Sequence, residues 1–286
     1  ILRCLVGSEM CIRDRMNTFR DNQDYEADMF VNNHEAKEIM DDNTLLVVVD
    51  TNKPSITQCE DLLYMAKMIV VLDHHRQGSD TIRNSVLSYI EPYASSASEM
   101  VAEILQYFTE GIRIRNVEAD SIYAGIMIDT DNFMQKTGVR TFEAAAFLRR
   151  CGADVTRVRK LFREDMNDYK ARGETIRNAE LFRGQFAISE CPSDYVDSPT
   201  VVGAQAANEL LNIVGVKASF VLTEYKGVIY ISARAIDEVN VQIIMERMGG
   251  GGHLNMAGCQ LETVNMEGAR NLLKSTLTEM QDGGEI

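Results

Sequence analysis

Three short apolar runs, each followed at once by an aspartate, constrain the fold of this chain more than any other feature. Their length and aliphatic composition are typical of strands buried on both faces of a parallel sheet. In such sheets ligands bind just beyond the carboxyl ends of the strands. The runs are Leu45–Val49 before Asp50, Ile69–Leu72 before Asp73, His74 and His75, and Ile122–Ile128 before Asp129. The sequence therefore predicts an α/β fold that brings two carboxylates and an imidazole to one edge of the sheet.

Carboxylate and imidazole together form a ligand set that suits manganese, iron and related divalent ions. Two such ions that share an aspartate can activate water against a phosphoryl group. Each aspartate could instead be a turn or helix-cap residue, and the histidine pair a solvated turn. The adjacent histidines His74 and His75 favour a functional site over a solvated turn, because the chain has only four histidines and two of them stand together here. Adjacent residues are expected to point to opposite sides of the backbone, so that one binds metal while the other reaches substrate. The pattern indicates a metal-dependent phosphoesterase.

Composition limits the alternatives. A chain of 286 residues can form two domains with separate cores. Its six cysteines include no C-x-x-C pair, which argues against disulfides or a zinc site and favours reduced thiols in the cytoplasm. No apolar run reaches the roughly 18 residues of a membrane helix. A net charge of −14 argues against binding of long nucleic acid, whereas a small nucleotide remains compatible if metal ions reverse the charge locally.

Helices are predicted between and after the apolar runs. A crossover helix is expected over 58–68, and the capping-box pattern Ser96–Glu99 begins a helix that continues to Phe108. Further helices are expected over 141–151, with Thr at the start and Gly152 at the end, and over 166–181 as a connection to a second domain.

The second domain has a different pattern. Strands at 218–223 and 228–233 flank a turn and predict a hairpin, with Arg234 just past the second strand. A helix at 241–248 runs into four glycines, a short strand follows at 259–261, and a last helix covers 266–280. Four glycines are costly to order, and they make sense where the backbone approaches another group closely; a flexible helix cap is the alternative. They follow a helix, which excludes a dinucleotide-binding fingerprint.

Several blocks occur in the order seen in the DHH superfamily of phosphoesterases, and the chain most resembles its cyclic-di-AMP phosphodiesterases. The resemblance extends from about Met16 to about Met280. The blocks are Asp50–Ser55, Asp73–Arg76, Ala94–Glu99, Gly125–Thr130, Thr137–Ala144 and Gly249–His253.

This resemblance implies a parallel-sheet DHH domain at 16–165, a connecting helix or linker at 166–190, and a smaller mixed-sheet domain at 191–286. It implies that two divalent ions, with manganese expected, are bound by Asp50, His74 and Asp129. His75 would contact the phosphate or protonate the leaving group, and Asp73 would orient a neighbouring imidazole. The implied substrate is a cyclic dinucleotide, cyclic-di-AMP, hydrolysed to 5′-pApA. Its implied ligands are Arg234, Gly249, Gly250, Gly251, Gly252 and His253.

The resemblance also implies a homodimer, a cytoplasmic location, and membrane anchoring of full-length members through other segments. Residues 1–15 show no structural period and are expected to be a non-native leader. The family's His-x-x-x-Asp-x-Asp motif is absent before Asp50, so the chain is expected to begin inside its catalytic domain. Ala235 and Asp237 replace the usual Ser and Gly near the substrate.

Three alternatives stay open. One is a nanoRNA or 3′-phosphoadenosine 5′-phosphate hydrolase, and another is an inorganic pyrophosphatase, which the glycine block disfavours. The third is a catalytically impaired nucleotide-binding fragment.

Overall fold

The computed structural model describes residues 16–20, 22–26, 29–108, 113–163, 165–236, 239–262 and 264–286. The chain divides into two compact units, Ile1–Arg163 and Glu164–Ile286. The expected leader, residues 1–15, and the substitution at Asp237 lie outside the described residues. The segment 166–190, expected as a connection, belongs to the second unit and contains a helix and two strands.

The first unit is built on a parallel three-stranded sheet. Its strands are β1 (Leu45–Val49), β2 (Met68–Asp73) and β3 (Leu87–Ile90), in the order β1-β2-β3. The parallel pairing of β1 with β2 confirms the prediction from the first two apolar runs. The crossover between them contains a 3₁₀ helix, Pro54–Ile56, and the α-helix Asp61–Met65, which is shorter than expected because Met68 already belongs to β2. Strand β3 was not predicted.

The third apolar run forms a helix, so its assignment as a strand was wrong. It is the second half of the helix Asn116–Asp129, and its residues Ile122 to Ile126 are buried without interruption. Three neighbouring helices contact this helix, so its apolar residues are not confined to one stripe. Asp129 therefore stands at the end of a helix and not at the end of a strand.

The first unit contains further helices. They span 16–20, Asn33–Ile39, Ala97–Phe108, Val139–Arg150 and Val155–Leu161.

Two helix starts depart from the expected capping. Ser96 Oγ accepts a hydrogen bond from the Glu99 amide at 3.0 Å, but the Glu99 carboxylate accepts from the amide and hydroxyl of Ser95, at 3.3 and 2.5 Å. The helix expected from Thr141 begins earlier, at Val139. Thr141 Oγ1 accepts from the amide of Gly138 at 3.0 Å, so Thr141 caps the helix from within its first turn.

The second unit contains a six-stranded mixed sheet with helices on its faces. Its strand order is β4-β5-β6-β7-β9-β8, and only the β5–β6 pair is parallel. The strands are β4 (Glu180–Phe182), β5 (Phe186–Cys191), β6 (Ala218–Tyr225), β7 (Val228–Ala235), β8 (Gly251–His253) and β9 (Met256–Leu261). The helices are Met166–Arg177, Pro199–Leu210, Val241–Arg247 and Met266–Asp282. This architecture confirms the expected mixed α/β domain.

The β6–β7 hairpin confirms the prediction but is longer than expected. Lys226 and Gly227 both have positive φ, 53° and 77°, which is the backbone of the two-residue turns that match strand twist. Each strand extends two residues further than predicted. Arg234 consequently lies inside β7 and not beyond it, where it pairs with Ser219 and Met256.

Within the described residues, no helix is both long enough and apolar enough to cross a membrane.

Candidate metal centre

Asp50 is held at the end of β1 in an unusual backbone conformation. Its φ is +67°, and its amide donates to the carbonyl oxygen of Leu72 at 2.9 Å, which continues the β1–β2 pairing by one residue. Aspartate is one of the few residues that tolerate this left-handed region. Asp50 is only 8% exposed, so its carboxylate is fixed in a largely buried site.

Asp50, His74 and His75 each offer one ligand atom to a common site. These atoms all lie within 4.8 Å of one another, and His74 Nε2 is 3.3 Å from Asp50 Oδ1. His74 Nε2 is buried and makes no hydrogen bond to any described residue. Its other nitrogen, Nδ1, is 3.4 Å from the carbonyl oxygen of Ala94. Because a carbonyl only accepts, this contact favours the tautomer in which Nε2 carries a lone pair.

His75 is tied to the wholly buried carboxylate of Asp73. Its Nδ1 lies 2.7 Å from Asp73 Oδ1, and its amide donates to the same oxygen at 3.2 Å. Burial raises the pKa of Asp73, but hydrogen bonds from His75 and Asn52 outweigh this and hold that pKa below its usual range. The hydrogen bond to Asp73 raises the pKa of His75 against the effect of burial.

The two imidazoles lie side by side. Their ring centroids are 4.4 Å apart, so the expectation that they point to opposite sides was wrong. Strand β2 ends at Asp73, and the alternation of side chains along a strand does not extend past its end. His74 and His75 can therefore face the same site.

Asp129 lies close enough to interact electrostatically with this group. Its pKa is raised to about 6, first by burial and then by the charge of Asp50, whereas His74 and His75 act in the opposite direction. Asp129 is nevertheless absent from the compact group of ligand atoms among the described residues. The carboxylates of Asp50 and Asp129 repel one another, and imidazole nitrogens lie beside them. A divalent cation bound by these groups would offset the repulsion. The residues present thus fit a metal.

The second unit holds the residues expected to bind substrate. Arg234 Nη1 donates to the carbonyl oxygen of Ala233 at 2.9 Å, and its buried Nε makes no hydrogen bond. Burial lowers the pKa of Arg234, and among the described residues no carboxylate forms an ion pair with it. Met256 pairs with Arg234 on one side and with His253 on the other, so the three form one row across the sheet.

The glycine block does approach another group closely, but that group is strand β9. A Cβ at Gly250 would stand 2.1 Å from the carbonyl oxygen of Gly258, and one at Gly252 would stand 2.5 Å from Ala257 Cα. A Cβ at Gly251 meets nothing within 4 Å. Gly250 and Gly252 are thus explained by the fold, and Gly251 leaves open space.

Asn52 and Ala94 contact the site residues, although no sequence pattern predicts a role for them. Asn52 Nδ2 donates to Asp73 Oδ2 at 2.5 Å, and Ala94 provides the carbonyl next to His74. Both lie inside blocks that resemble the family, but neither residue type signals a buried contact by itself.

In comparisons with known proteins, two family profiles match separate segments of the chain. The profile of the DHH family, N-terminal domain, matches residues 6–126, and that of the DHHA1 domain matches residues 186–279. The chain is 43% identical over 259 residues to the cyclic-di-AMP phosphodiesterase GdpP of Bacillus subtilis, covering 89% of the chain and 39% of that protein. It is 41% identical over 243 residues to the cyclic-di-AMP phosphodiesterase PdeA of Listeria monocytogenes, covering 85% and 37%. The chain therefore spans well under half the length of these relatives.

A solved structure supports the fold. An exopolyphosphatase-related protein from Bacteroides fragilis superposes with a TM-score of 0.77 at 19% identity, covering 97% of this chain and 88% of that one.

Proposed function

The chain belongs to the DHH family, with a DHH domain followed by a DHHA1 domain, and we propose that it is the catalytic part of a metal-dependent phosphodiesterase that hydrolyses cyclic-di-AMP to 5′-pApA. The observation that carries the chemistry is the convergence of Asp50, His74 and His75 ligand atoms within 4.8 Å. The choice of substrate is supported by relatives that are named cyclic-di-AMP phosphodiesterases and are 41% and 43% identical.

Asp50, His74 and Asp129 are the proposed ligands of two divalent ions, with manganese as the expected metal. His75 is a further candidate, because one of its ring nitrogens belongs to the compact group. Bound divalent ions polarise a phosphoryl oxygen and lower the pKa of water, which provides a nucleophile at neutral pH.

The chain's own side chains would place and protonate the reacting groups. Asp73 accepts from Nδ1 of His75, which leaves Nε2 as the atom able to contact a phosphate oxygen or to protonate the leaving ribose oxygen. Asp73 therefore orients His75 without touching the substrate.

Substrate binding is assigned to the second unit. The Arg234 guanidinium lies on a sheet row with His253, and a phosphate would supply the charged partner that no described carboxylate provides. Gly251 would admit the ligand because nothing occupies the space over its Cα. A cytoplasmic location and a homodimer complete the proposal, and both derive from family resemblance.

The test is a comparison of substrates. The purified chain with Mn²⁺ is incubated with cyclic-di-AMP, pApA and 3′-phosphoadenosine 5′-phosphate, and products are separated by chromatography. We expect cyclic-di-AMP to be converted to pApA faster than the other two are consumed. Faster hydrolysis of the bisphosphate would favour the alternative hydrolase activity. Binding of cyclic-di-AMP without turnover would identify a nucleotide-binding module.

A further inference from the structure

Asn52 is a buried polar residue that none of the proposed roles uses. It follows Asp50 by two residues and is 2% exposed. Its backbone carbonyl oxygen accepts from the amide of Ile82 at 2.9 Å, which fixes the chain on this side of the sheet. This hydrogen bond fixes the backbone of Asn52 and thereby the position from which its side chain extends.

The side-chain amide of Asn52 connects to His75 through Asp73. Nδ2 of Asn52 lies 2.5 Å from Asp73 Oδ2, while the other carboxylate oxygen, Oδ1, lies 2.7 Å from His75 Nδ1. The same Nδ2 lies 3.3 Å from the backbone carbonyl oxygen of His75. His75 thus contacts Oδ1 of Asp73 through both its ring and its backbone amide, whereas Asn52 is the described donor to Oδ2.

The chemistry of the groups fixes the direction of these bonds. An ionised carboxylate only accepts, so the atom of Asn52 that faces Asp73 must be the NH₂ nitrogen. A carboxylate held at one oxygen can still rotate about its own axis. A second donor on the other oxygen fixes its plane, and with it the direction in which Oδ1 accepts from the imidazole.

We propose that Asn52 is a positioning residue for His75, because it fixes the Asp73 carboxylate that keeps the proton on Nδ1 and leaves Nε2 to the reaction site. The contribution of this orientation to turnover rests on the proposed function. The orientation itself does not, since it is a property of the protein without substrate.

The second atom of the amide supports a role other than stability. Asn52 Oδ1 is buried and accepts no hydrogen bond from any described residue. A buried acceptor without a donor costs stability, so a residue selected only to stabilise this position would not be an asparagine. Replacing Asn52 with an apolar residue leaves Asp73 Oδ2 without a described donor, so it should lower the unfolding temperature as well as change the state of His75.

The experiment reads the tautomer of His75 directly. The chain is labelled with ¹⁵N-histidine and freed of metal with a chelator, and imidazole nitrogen shifts are recorded at a pH where the rings are neutral. His75 is identified by the signal lost in His75→Gln. The variants are Asn52→Leu, which keeps the number and branching of the side-chain heavy atoms, and Asn52→Ala, whose imidazole shifts are recorded in the same way if the leucine variant does not fold. The matched control is Asn84→Leu, because the Asn84 amide donates to the Leu63 carbonyl at 2.9 Å and not to a carboxylate.

In the wild-type chain and in Asn84→Leu, we expect His75 to carry its proton on Nδ1. In the Asn52 variants the His75 signals should move towards a mixture of both tautomers. Unchanged His75 shifts in a folded Asn52 variant would overturn the proposal. If the wild-type chain bound no Mn²⁺, the proposed function would fail, but the nitrogen shifts would still decide the role of Asn52.

Discussion

The carboxylate of Asp129 lies in the electrostatic field of Asp50, and the pKa of Asp129 is raised to about 6. Burial is the larger cause, and the charge of Asp50 adds to it. In the absence of metal the folded protein therefore holds a proton at Asp129 more tightly than the unfolded chain does. A cation bound between the two carboxylates would compete with that proton.

In the metal-free protein, Asp129→Asn should raise stability at pH 8 and should raise it only about half as much at pH 5, which lies between the unfolded and folded pKa values of Asp129. The pKa of Asp129 is higher in the folded state than its ordinary value of 3.8, so the stability it contributes is fully present below about 3.8 and is lost as pH rises through about 6. Asparagine stays neutral throughout. The difference should be on the order of 1–3 kcal/mol, because one pKa unit corresponds to about 1.4 kcal/mol. Urea denaturation of both proteins at the two pH values measures it.

The exposed neighbour Asp131 provides the control, and Asp131→Asn should show no such pH-dependent gain. Addition of Mn²⁺ at pH 8 should remove the advantage of Asp129→Asn, since the ion offsets the repulsion only in the wild-type chain. Equal effects of Asp129→Asn at both pH values would contradict the burial and charge described for this site.

Asp50→Asn should abolish turnover and reduce Mn²⁺ affinity by at least about 100-fold while leaving the fold intact. Asparagine tolerates the left-handed backbone at this position, so only the charge is lost. Isothermal titration with Mn²⁺ and a thermal melt measure the two effects. The matched control is Asp80→Asn, which removes the charge of an exposed carboxylate that accepts a hydrogen bond from the Ser55 hydroxyl. Retained Mn²⁺ affinity in Asp50→Asn would rule out Asp50 as a ligand.

Arg234→Ala should weaken cyclic-di-AMP binding by roughly 1.5–3 kcal/mol, because a charge-assisted hydrogen bond to phosphate is lost. Its unfolding temperature should change little, since no described carboxylate pairs with the guanidinium. Arg177→Ala removes an exposed cation of the same unit, 3.7 Å from Glu174, and should leave binding unchanged. Fluorescent-nucleotide titration measures both variants. Normal binding by Arg234→Ala would show that the phosphate lies elsewhere.

Gly250→Ala should lower stability, whereas Gly251→Val should weaken only the binding of nucleotide. A Cβ at Gly250 would collide with Gly258 and Cys259 of strand β9, so this variant should lose about 1–3 kcal/mol of stability. Gly251 faces open space, so Gly251→Val should melt like the wild-type chain but bind cyclic-di-AMP more weakly. Thermal melts and nucleotide titrations distinguish the two. Wild-type affinity in Gly251→Val would remove this glycine from the substrate site.

The strands β1 and β2 could be located because both are continuous aliphatic runs followed by a polar residue, although only β2 is largely buried and Leu45 and Val47 of β1 are exposed. The same pattern led to the wrong assignment of 122–128 as a strand. A helix covered by several others also loses its amphipathic period, so its apolar run resembles a buried strand. The unbroken burial from Ile122 to Ile126 follows from that packing and could not be derived from the local sequence.

The position of Arg234 shows a second limit. Residues of β7 alternate between buried and partly exposed, and Arg234 falls on the partly exposed side. A charged residue at such a position does not end a strand, although it ends the apolar pattern. Likewise, the contact between Asn52 and Asp73 joins residues on consecutive strand ends, and it depends on backbone turns that no local motif specifies.

Position 50 has two separate requirements: a residue that tolerates a left-handed backbone, and a negatively charged side chain as the proposed ligand. Most side chains at φ +67° would cost roughly 1–2 kcal/mol, whereas glycine and asparagine fit nearly as well as aspartate. Both are reached from an aspartate codon by a single nucleotide change. Such a chain would keep its shape and the proposed substrate-binding residues while losing the anionic ligand. One point mutation could thus turn a hydrolase of this architecture into a receptor that retains the nucleotide instead of destroying it.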